Sequence, residues 1–483
     1  MADHFIIIGN GTAGFRAAKD LRCASSAARV SLFTQERYPF YLRRQLGDLL
    51  SGEVAVNDLV FQSRNAYRRE RLDLFLSTRV ERIEPQAHEI VLASGERARY
   101  DRLLAATGTE AVPTGLPGET LTGVVRFDTL ARAAEARAAL DSGSVRRAVI
   151  LDEGLVGLAM AEGLAAAGVR VTQLVRGERY WPEMLDDHSA ALIEALLEER
   201  NITIRRGAVA RAVVGAGQQA IGVETADGEV LPAELIGWGS RRRAATALLE
   251  KAGAAMGCGV RVDGRFQTSI KDVFAAGDVA EPSRPLGTEL AAPGLGAAAN
   301  AFAPQPEWGC PFCWQRAWAQ GDLAAAGMMD RQADLAPDAI RLRGTVFGRE
   351  LAVIGDGHLA EGGEVAALDV RDQPDVYRRL VFRAGRLVGA IVLGSGEPVQ
   401  PLNRMVTARL PRRAIEAALG RPPSERTAEL LPMTFAQHCP ICAAELVVYQ
   451  GTRIGELTHC RTCNTDLVVR WNGQRGWLEV IPP

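Results

Sequence analysis

The feature that most constrains this 483-residue chain is a short apolar strand that leads directly into a glycine-rich turn. Phe5 to Ile8 are uninterrupted apolar residues, and the turn Gly9 to Gly14 follows them. Beyond the turn, Phe15, Ala18 and Leu21 recur at helical spacing and predict a helix with one buried face. The order of strand, glycine turn and helix is typical of a parallel α/β unit that binds a nucleotide.

Each glycine of this turn has its own physical task. Gly9 permits the tight turn, Gly11 lets a pyrophosphate approach the backbone, and Gly14 lets the helix pack closely on the strand. Thr12 and Ala13 open the helix, whose free N–H groups and positive dipole end favour phosphate. The sequence therefore predicts a dinucleotide site at this turn.

The same order recurs in the middle of the chain with one change. Ala148 to Leu151 predict a buried strand and Ala159 to Ala167 a helix, with Gly154 and Gly157 in the turn between them. Asp152 takes the position of the first glycine. The chain is therefore expected to contain two dinucleotide-type folds, the second of them altered.

The composition limits the partners and the compartment. Hydrophobic residues make up 47% of the chain and charged residues 24%, and the formal net charge is −2. The arginines are spread along the chain, so no basic patch favours nucleic acid or an anionic membrane. No apolar run reaches the roughly 18 residues of a membrane span, and the N-terminal run is too short for a signal segment. We expect a cytoplasmic protein without nucleic-acid or membrane partners.

Eight cysteines are too few for a disulfide scaffold in a chain of this length. Six of them form three C-x-x-C pairs, a spacing that suits metal or redox chemistry. The other two, Cys23 and Cys258, are expected to be small buried apolar residues.

Two of the pairs lie near the C-terminus. Cys439 and Cys442 are separated from Cys460 and Cys463 by seventeen residues. This spacing brings four thiolates into one tetrahedral site and resembles a zinc ribbon. Zinc is expected because it closes structural sites made of four cysteines, and iron, which would give a rubredoxin-like electron carrier, is the less favoured alternative.

Five segments together resemble the two-dinucleotide-fold flavoproteins, the FAD-dependent pyridine nucleotide-disulfide oxidoreductases. The branch in question contains rubredoxin and ferredoxin reductases and the flavin portion of NADH-dependent nitrite reductase, and the resemblance covers about residues 3 to 410. The segments are Gly9–Gly14, Tyr38–Arg43, Tyr100–Gly108, Val273–Asp278 and Trp314–Gly321.

The resemblance implies that FAD lies extended along the first fold. Its ribityl chain would lie near Asp278, and its ring near Arg43 and the helix around Gln320. Glu36, after the strand Arg29 to Phe33, would face the adenosine ribose. The implied FAD-binding residues are Gly9, Gly11, Thr12, Ala13, Gly14, Glu36, Arg43, Val80, Thr107, Gly108, Gly277, Asp278 and Gln320.

The expected fold class is α/β, with two nested Rossmann-like dinucleotide-binding domains, an α+β interface domain and a small β-rich zinc ribbon with four cysteine ligands. The two parts of the FAD-binding domain are expected at 1–118 and 243–332, and the NAD(P)H-binding-like domain at 119–242. The interface domain is expected at 333–425 and the ribbon at 430–483.

The second turn departs from the family pattern where NAD(P)H would bind. Asp152 and Glu153 would bring two carboxylates toward a pyrophosphate, and at an effective dielectric of about 20 each repulsion is on the order of several kcal/mol. Gly154 and Gly157 remain as contacts, and Arg176 could compensate by engaging an adenosine phosphate. We expect weak binding, so that reduction of the flavin by NAD(P)H is slow or absent.

The third cysteine pair, Cys310 and Cys313, precedes the helix that the resemblance directs at the flavin. A helix N-terminus lowers the pKa of a thiol, so the pair could form a redox disulfide. It could also be half of an intermolecular metal site or two structural thiols. The candidate catalytic residues are Arg43, Cys310 and Cys313.

Together these features predict an FAD-dependent oxidoreductase that passes electrons between a donor and a protein or metal-centre partner. The family donor is NAD(P)H. The alternative is an FAD-bearing structural or assembly subunit of a larger redox complex that has lost its nicotinamide site. Either form could be oligomeric. The orientation of the Asp152 and Glu153 carboxylates separates these two hypotheses.

Overall fold

A computed structural model describes residues 3–239, 242–282, 314–332, 339–359, 362, 365–373, 376–394, 399–419, 435–438, 445–448, 457–459, 466–471 and 476–480. Within these ranges no helix combines the length and the apolar character that a membrane crossing needs.

The N-terminal part of the chain builds the first strand–turn–helix unit and a small antiparallel sheet. Its strands are β1 (His4–Ile8), β2 (Arg29–Phe33), β3 (Leu72–Phe75), β4 (Val80–Glu84), β5 (Glu89–Leu92), β6 (Arg97–Arg99), β7 (Arg102–Ala105) and β8 (Thr109–Ala111). Its helices are α1 (Thr12–Ala24), α2 (Leu46–Ser51) and α3 (Arg64–Arg69), with short 3-10 turns at Arg43–Gln45 and Pro85–Ala87. β4, β5 and β6 form the antiparallel sheet.

The middle of the chain builds a second parallel sheet with helices around it. Its elements are β9 (Val124–Arg126), α4 (Leu130–Asp141), β10 (Arg147–Ile150), α5 (Leu155–Ala166), β11 (Arg170–Leu174), α6 (Asp187–Glu199), β12 (Thr203–Arg205), β13 (Ala210–Ala216), β14 (Gln219–Thr225), β15 (Val230–Pro232) and β16 (Leu235–Trp238). The parallel strands lie in the order β12-β11-β10-β16-β9. β13, β14 and β15 form an antiparallel sheet beside them.

The chain then returns to the first fold. The returning elements are β17 (Arg242–Ala244), α7 (Ala247–Lys251), β18 (Val260–Val262), β19 (Val273–Ala275), β20 (Ala280–Pro282) and α8 (Trp314–Gly327). β19 completes the first parallel sheet, whose order is β19-β7-β1-β2-β3. The second fold is thus inserted within the first, so the predicted nested arrangement is confirmed.

An antiparallel sheet and two helices follow. Their bounds are β21 (Ile340–Val346), β22 (Arg349–Gly355), β23 (Val365–Gln373), β24 (Val376–Arg383), β25 (Arg386–Gly394), α9 (Val399–Thr407) and α10 (Arg412–Leu419). The strands lie in the order β21-β22-β25-β24-β23. Val399 and Val406 of α9 are buried in the same apolar cluster as this sheet. This antiparallel sheet with two helices agrees with the predicted α+β interface domain.

Five short antiparallel strands form the described part of the C-terminal region. They are β26 (Phe435–His438), β27 (Glu445–Val448), β28 (Leu457–His459), β29 (Asp466–Trp471) and β30 (Gly476–Val480). β26 pairs with β27, and β29 pairs with both β28 and β30. Val448, Leu467, Val469 and Leu478 belong to the same buried apolar cluster as the first parallel sheet.

Small residues allow the two nested folds to pack closely. A Cβ atom added to Gly47 of α2 would lie 2.7 Å from the carbonyl oxygen of Ala159 in α5. A Cβ atom added to Gly163 of α5 would overlap the carbonyl oxygen of Gly47. Helix backbones can approach this closely only where side chains are absent.

The prediction that Cys23 and Cys258 are buried is wrong, because both thiols are exposed. On α1, Leu21 is fully buried, and Cys23 lies two residues beyond it. Two residues rotate an α-helix by about 200°, so a residue two places from the buried face points to solvent. Cys258 lies in the irregular segment before β18.

Candidate functional site

The first glycine turn combines tight backbone packing with one open position. Gly9 has φ +108°, and a Cβ atom there would overlap the carbonyl oxygen of Ala106. A Cβ atom on Gly14 would overlap the carbonyl oxygen of Gly9. At Gly11, the N-cap of α1, a Cβ atom would meet nothing within 4 Å. The turn is therefore closed on the protein side and open beside the N–H groups of α1, the arrangement that suits a bound phosphate.

A buried amide lies beside this opening. The hydroxyl of Tyr67 donates a 3.0 Å hydrogen bond to Oδ1 of Asn10. Nδ2 of Asn10 is buried and has no hydrogen-bond partner among the described residues. Buried donors are rarely left unpaired, so this amide fits a ligand oxygen at the turn. The donor set and the open space together fit the FAD pyrophosphate.

The predicted ribose ligand Glu36 and the predicted flavin neighbour Arg43 are in contact with each other. The Arg43 guanidinium forms an ion pair with Glu36 and donates to the backbone oxygen of Asp128. The hydroxyl of Tyr41 donates to Oε2 of Glu36 at 2.6 Å and accepts from the Leu130 N–H at 3.1 Å. The contact of Glu36 with the adenosine ribose therefore stays a prediction.

Four of the remaining predicted contacts lie at the start of α1 or just after β7. Thr12 and Ala13 are the first residues of α1, and Val80, the first residue of β4, is buried. Thr107 Oγ1 donates to the Ala245 carbonyl at 2.9 Å. Gly108 has φ +65°, a conformation that glycine adopts without strain. Thr12, Ala13, Thr107 and Gly108 thus follow the carboxyl ends of β1 and β7, which pair in parallel, and their contact with FAD stays a prediction.

Helix α8 is hydrogen-bonded to Gly277 and packs against the start of α1. Gly277 has φ +80°, and its N–H donates a 2.7 Å hydrogen bond to Oε1 of Gln320. A Cβ atom on Gly321 would lie only 2.6 Å from the carbonyl oxygen of Ala13. The structure thus brings together segments that lie more than 300 residues apart, as the family resemblance implies.

Asp278 lies near three arginines, which are Arg43, Arg242 and Arg316. Burial raises its pKa to about 7, although the positive charges of Arg242, Arg316 and Arg43 oppose that rise. The sequence reasoning identified Arg43 but missed Arg242 and Arg316. The signal for Arg242 was present in the run of three consecutive arginines at 241–243.

The second turn is organised around the carboxylate of Asp152. One oxygen accepts a 2.9 Å hydrogen bond from the N–H of Gly154, and the other accepts a 3.1 Å bond from the N–H of Gly239. Gly154 is the N-cap of α5, the position that Gly11 holds in the first fold. A side-chain anion therefore occupies backbone donors at the place where the first fold leaves donors open.

Two buried side chains, Gln173 and Tyr180, stabilise the backbone of the second turn through hydrogen bonds. The Gln173 side-chain amide donates to the carbonyl oxygen of Asp152 at 2.7 Å and to the hydroxyl of Tyr180 at 2.8 Å. Gln173 and Tyr180 are both fully buried. A Cβ atom on Gly157 would overlap the Asp152 carbonyl oxygen, so α5 starts directly against the turn. Asp152 is therefore fixed on both its backbone and its side chain.

Glu153 is a buried acid beside Asp152. Burial raises its pKa to about 7, and the positive charge of Arg176 opposes that rise. Arg176 Nε lies 3.5 Å from Oε1, whereas Oε2 is buried without a hydrogen-bond partner among the described residues. The Glu153–Arg176 pair means that this arginine, proposed above as a phosphate ligand, is engaged by the protein itself.

The predicted cysteine sites fall outside the described residues. This applies to Cys310 and Cys313 and to the predicted metal ligands Cys439, Cys442, Cys460 and Cys463. Within the described ranges, no group of three or more His, Cys, Asp or Glu side chains is placed to hold a metal ion. The zinc site and the role of the third pair stay predictions.

Comparison with known proteins places this geometry in a family. Residues 3–321 match the family described as pyridine nucleotide-disulphide oxidoreductase. The ferredoxin–NAD(+) reductase component of the biphenyl dioxygenase system of Paraburkholderia xenovorans is 34% identical over 281 residues, which cover 58% of this chain and 68% of that protein. The crystal structure of the covalent putidaredoxin reductase–putidaredoxin complex has a TM-score of 0.72 at 22% identity, and the match covers 87% of this chain and 100% of that chain.

A longer relative covers more of this chain. The assimilatory nitrate reductase electron transfer subunit of Bacillus subtilis is 24% identical over 416 residues, which cover 86% of this chain. The match spans 50% of that protein, so this chain corresponds to half of its length. From the family match over residues 3–321 and the two nested parallel sheets, we conclude that the chain belongs to the pyridine nucleotide-disulphide oxidoreductase family and is an FAD-dependent oxidoreductase.

Proposed function

We propose that this protein is an FAD-dependent electron-transfer reductase that serves a redox protein or metal-centre partner and does not use NAD(P)H as its direct electron donor. The similar proteins named above include a ferredoxin–NAD(+) reductase component and an electron transfer subunit. The partner of this chain is therefore proposed to be a redox protein, and its compartment the cytoplasm.

The first fold supplies the binding groups for FAD. The N–H groups of α1 and the open position at Gly11 would hold the pyrophosphate, and Nδ2 of Asn10 is positioned to donate to it. Asp278 and Arg43 lie near the proposed path of the ribityl chain and the ring. Bound FAD supplies the electron-transfer chemistry, and the protein supplies orientation and electrostatics.

The observation that carries the proposal is the pair of hydrogen bonds that the Asp152 carboxylate accepts from the N–H groups of Gly154 and Gly239. Hydrogen bonds to an ionised acceptor contribute about 1.5–3 kcal/mol each. An incoming pyrophosphate would have to displace this carboxylate and then remain beside it. Both costs act against NAD(P)H, which binds family members at the corresponding fold.

The same observation favours a second candidate function. A chain that holds FAD but has lost its nicotinamide site could act as an assembly or electron-relay subunit of a larger redox complex. The described C-terminal strands, with the four cysteines between them, would supply a docking module that zinc stabilises. Reduction of the flavin by a physiological partner other than NAD(P)H is compatible with both functions.

Direct binding measurements test the proposal. The FAD-loaded protein is titrated with NAD+ and NADP+ by isothermal calorimetry, which needs no catalytic turnover. We expect no saturable binding below millimolar concentration. The double variant Asp152→Gly with Glu153→Gly should gain binding by at least tenfold, because it frees two N–H donors and removes two carboxyl groups from the turn.

A control variant separates the effect of nearby negative charge from the effect of the freed N–H donors. Glu183→Gln removes an exposed carboxylate that acts electrostatically on Glu153 but leaves the turn intact, so it should gain nothing. Micromolar binding of either nucleotide to the unaltered protein would overturn the proposal.

A further inference from the structure

Tyr67 is a buried aromatic residue of α3 whose hydroxyl reaches the first glycine turn. Its side chain is fully buried, and the hydroxyl donates the 3.0 Å hydrogen bond to Oδ1 of Asn10. Asn10 lies between Gly9 and Gly11, so this bond acts on the turn itself. Tyr67 and Asn10 are 57 positions apart in the chain, and Tyr67 lies outside the glycine-turn motif.

Neighbouring aromatic rings hold the ring of Tyr67 in place. Its centroid lies 6.1 Å from that of Phe15 in an edge-on arrangement, and the Phe15 ring stacks on Phe40 at 4.4 Å. Phe15 directly follows Gly14, so this packing lies at the end of the turn. Edge-on and stacked ring pairs are favourable arrangements. The packing therefore fixes the Tyr67 hydroxyl beside Asn10 without relying on the hydrogen bond.

The Tyr67 hydroxyl determines which way the Asn10 amide faces. A carboxamide has an oxygen that only accepts hydrogen bonds and an NH2 group that only donates them, and a half rotation exchanges the two. Burial raises the pKa of Tyr67, so the phenol keeps its proton at neutral pH and donates to Oδ1. Nδ2 then lies on the other side of the amide, where it is buried without a hydrogen-bond partner among the described residues.

The space beside this donor suits an anionic ligand. Gly11 directly follows Asn10, and an added Cβ atom there would meet nothing within 4 Å. The N–H groups at the start of α1 favour an anion at the same place. Buried donors are rarely left unpaired, and an ionised phosphate oxygen accepts stronger hydrogen bonds than a neutral oxygen does. Nδ2 of Asn10 therefore fits an oxygen of a pyrophosphate.

We propose that Tyr67 is a positioning residue for FAD, because its hydroxyl holds the Asn10 amide so that Nδ2 donates to an oxygen of the pyrophosphate. This inference rests on the proposed FAD site. Without the hydroxyl, the amide is free to rotate and to place Oδ1 against the pyrophosphate, where two acceptors repel each other. Part of the affinity of the turn for FAD would then depend on a residue outside the turn.

A double-mutant cycle of FAD affinity tests this role. Full-length apoproteins of the wild type, Tyr67→Phe, Asn10→Ala and the double variant are titrated with FAD, and binding is followed by quenching of flavin fluorescence. Tyr67→Phe keeps the ring and its packing and removes only the hydroxyl. We expect this change to weaken FAD binding about tenfold in the wild-type background but less than about twofold in the Asn10→Ala background, because Tyr67 acts through Asn10.

Tyr180→Phe is the matched control. Tyr180 is also fully buried, and its hydroxyl accepts a 2.8 Å hydrogen bond from Nε2 of Gln173, but it lies in the second fold. The variant should lose stability in chemical denaturation much as Tyr67→Phe does, whereas its FAD affinity should stay that of the wild type. Phosphorus NMR of the FAD-loaded proteins observes the pyrophosphate directly. Tyr67→Phe should shift at least one pyrophosphate signal, and Tyr180→Phe should shift neither.

Three results would overturn the positioning role of Tyr67. They are unchanged FAD affinity in Tyr67→Phe, an equal loss on removal of the hydroxyl in both backgrounds, and pyrophosphate signals that stay in place in Tyr67→Phe. If Asn10→Ala does not fold, as judged by circular dichroism, Asn10→Asp replaces it in the cycle, since an ionised carboxylate cannot donate a hydrogen bond either. Failure of the unaltered protein to bind FAD at all would instead refute the cofactor assignment.

Discussion

At the scale of single residues, Glu153 is a buried acid whose ionisation should affect stability. Burial raises its pKa from the usual 4.5 to about 7. The folded protein therefore holds this proton more tightly than the unfolded chain does. The resulting stability is fully present below pH 4.5 and is lost as the pH rises through about 7.

The substitution Glu153→Gln tests this pH dependence. The pKa difference corresponds to about 3 kcal/mol, because one pKa unit is about 1.4 kcal/mol. Relative to the wild type, the variant should gain stability by up to that amount between about pH 5 and pH 8, as measured by chemical denaturation. Glu199→Gln, at an exposed carboxylate near the end of α6, is the control. A constant difference between Glu153→Gln and wild type across this range would show that Glu153 is ionised throughout.

The sequence predicted that Asp152 impairs the second site, which stays a prediction, and the structure shows contacts of this carboxylate that the sequence did not reveal. The prediction rested on repulsion between free carboxylates and a phosphate. In the structure the Asp152 carboxylate binds the N–H of Gly239, which lies 87 residues further along the chain. Sequence spacing could not reveal this contact, because it depends on β16 lying beside β10.

At the scale of elements, the glycines of the first turn, which leads into α1, differ in whether the structure has room for a side chain at each position. A side chain at Gly11 would meet nothing within 4 Å, whereas one at Gly14 would overlap the backbone of Gly9. Gly11→Val should therefore fold normally but bind FAD on the order of 100-fold more weakly, since the side chain would occupy the space of the pyrophosphate.

Absorbance of the purified protein and thermal unfolding together check this expectation. Gly14→Val should lose stability as well as FAD, because overpacking costs about 1–3 kcal/mol. Gly264→Val, another glycine whose added Cβ would meet nothing within 4 Å, is the control and should stay yellow. A yellow Gly11→Val protein with wild-type FAD content would contradict the proposed position of the pyrophosphate.

The elements that sequence reasoning predicted best are those with strong local patterns. β2 occupies the predicted residues, Arg29–Phe33. α5 begins at Leu155, four residues before the predicted start, because Gly154 takes an extended conformation with φ −87° and ψ −173° and acts as the N-cap. A glycine at a helix start gives no side-chain signal, so hydrophobic spacing alone placed the boundary too late.

At the scale of the whole molecule, the C-terminal module is predicted to hold one zinc ion per chain. Elemental analysis of the full-length protein should find it, and replacing Cys439 and Cys463 by serine should remove it without loss of FAD. Cys258→Ser, at an exposed cysteine outside the pairs, should leave the zinc in place. Stoichiometric iron with a ferric-thiolate spectrum would instead make the module an electron carrier, and a metal-free protein would contradict the prediction.

The nested architecture was predictable because the strand–turn–helix signature occurs twice, and its second copy lies between segments of the first. The arginines around Asp278 were not predictable as a group. Arg43, Arg242 and Arg316 come from three distant parts of the chain and meet only through the packing of β8, β17 and α8. Composition and local spacing carry no information about such a cluster.

We propose that this flavoprotein does not take electrons directly from NAD(P)H, and an anaerobic titration that follows the flavin absorption band measures whether it does. The FAD-loaded protein is mixed with NADH and, separately, with NADPH, and dithionite provides complete reduction as the reference. We expect dithionite to bleach the band fully, and both nucleotides to leave it unchanged or to bleach it only slowly at millimolar concentration. Rapid and complete bleaching that saturates at micromolar NADH or NADPH would show that the nucleotide is a direct electron donor.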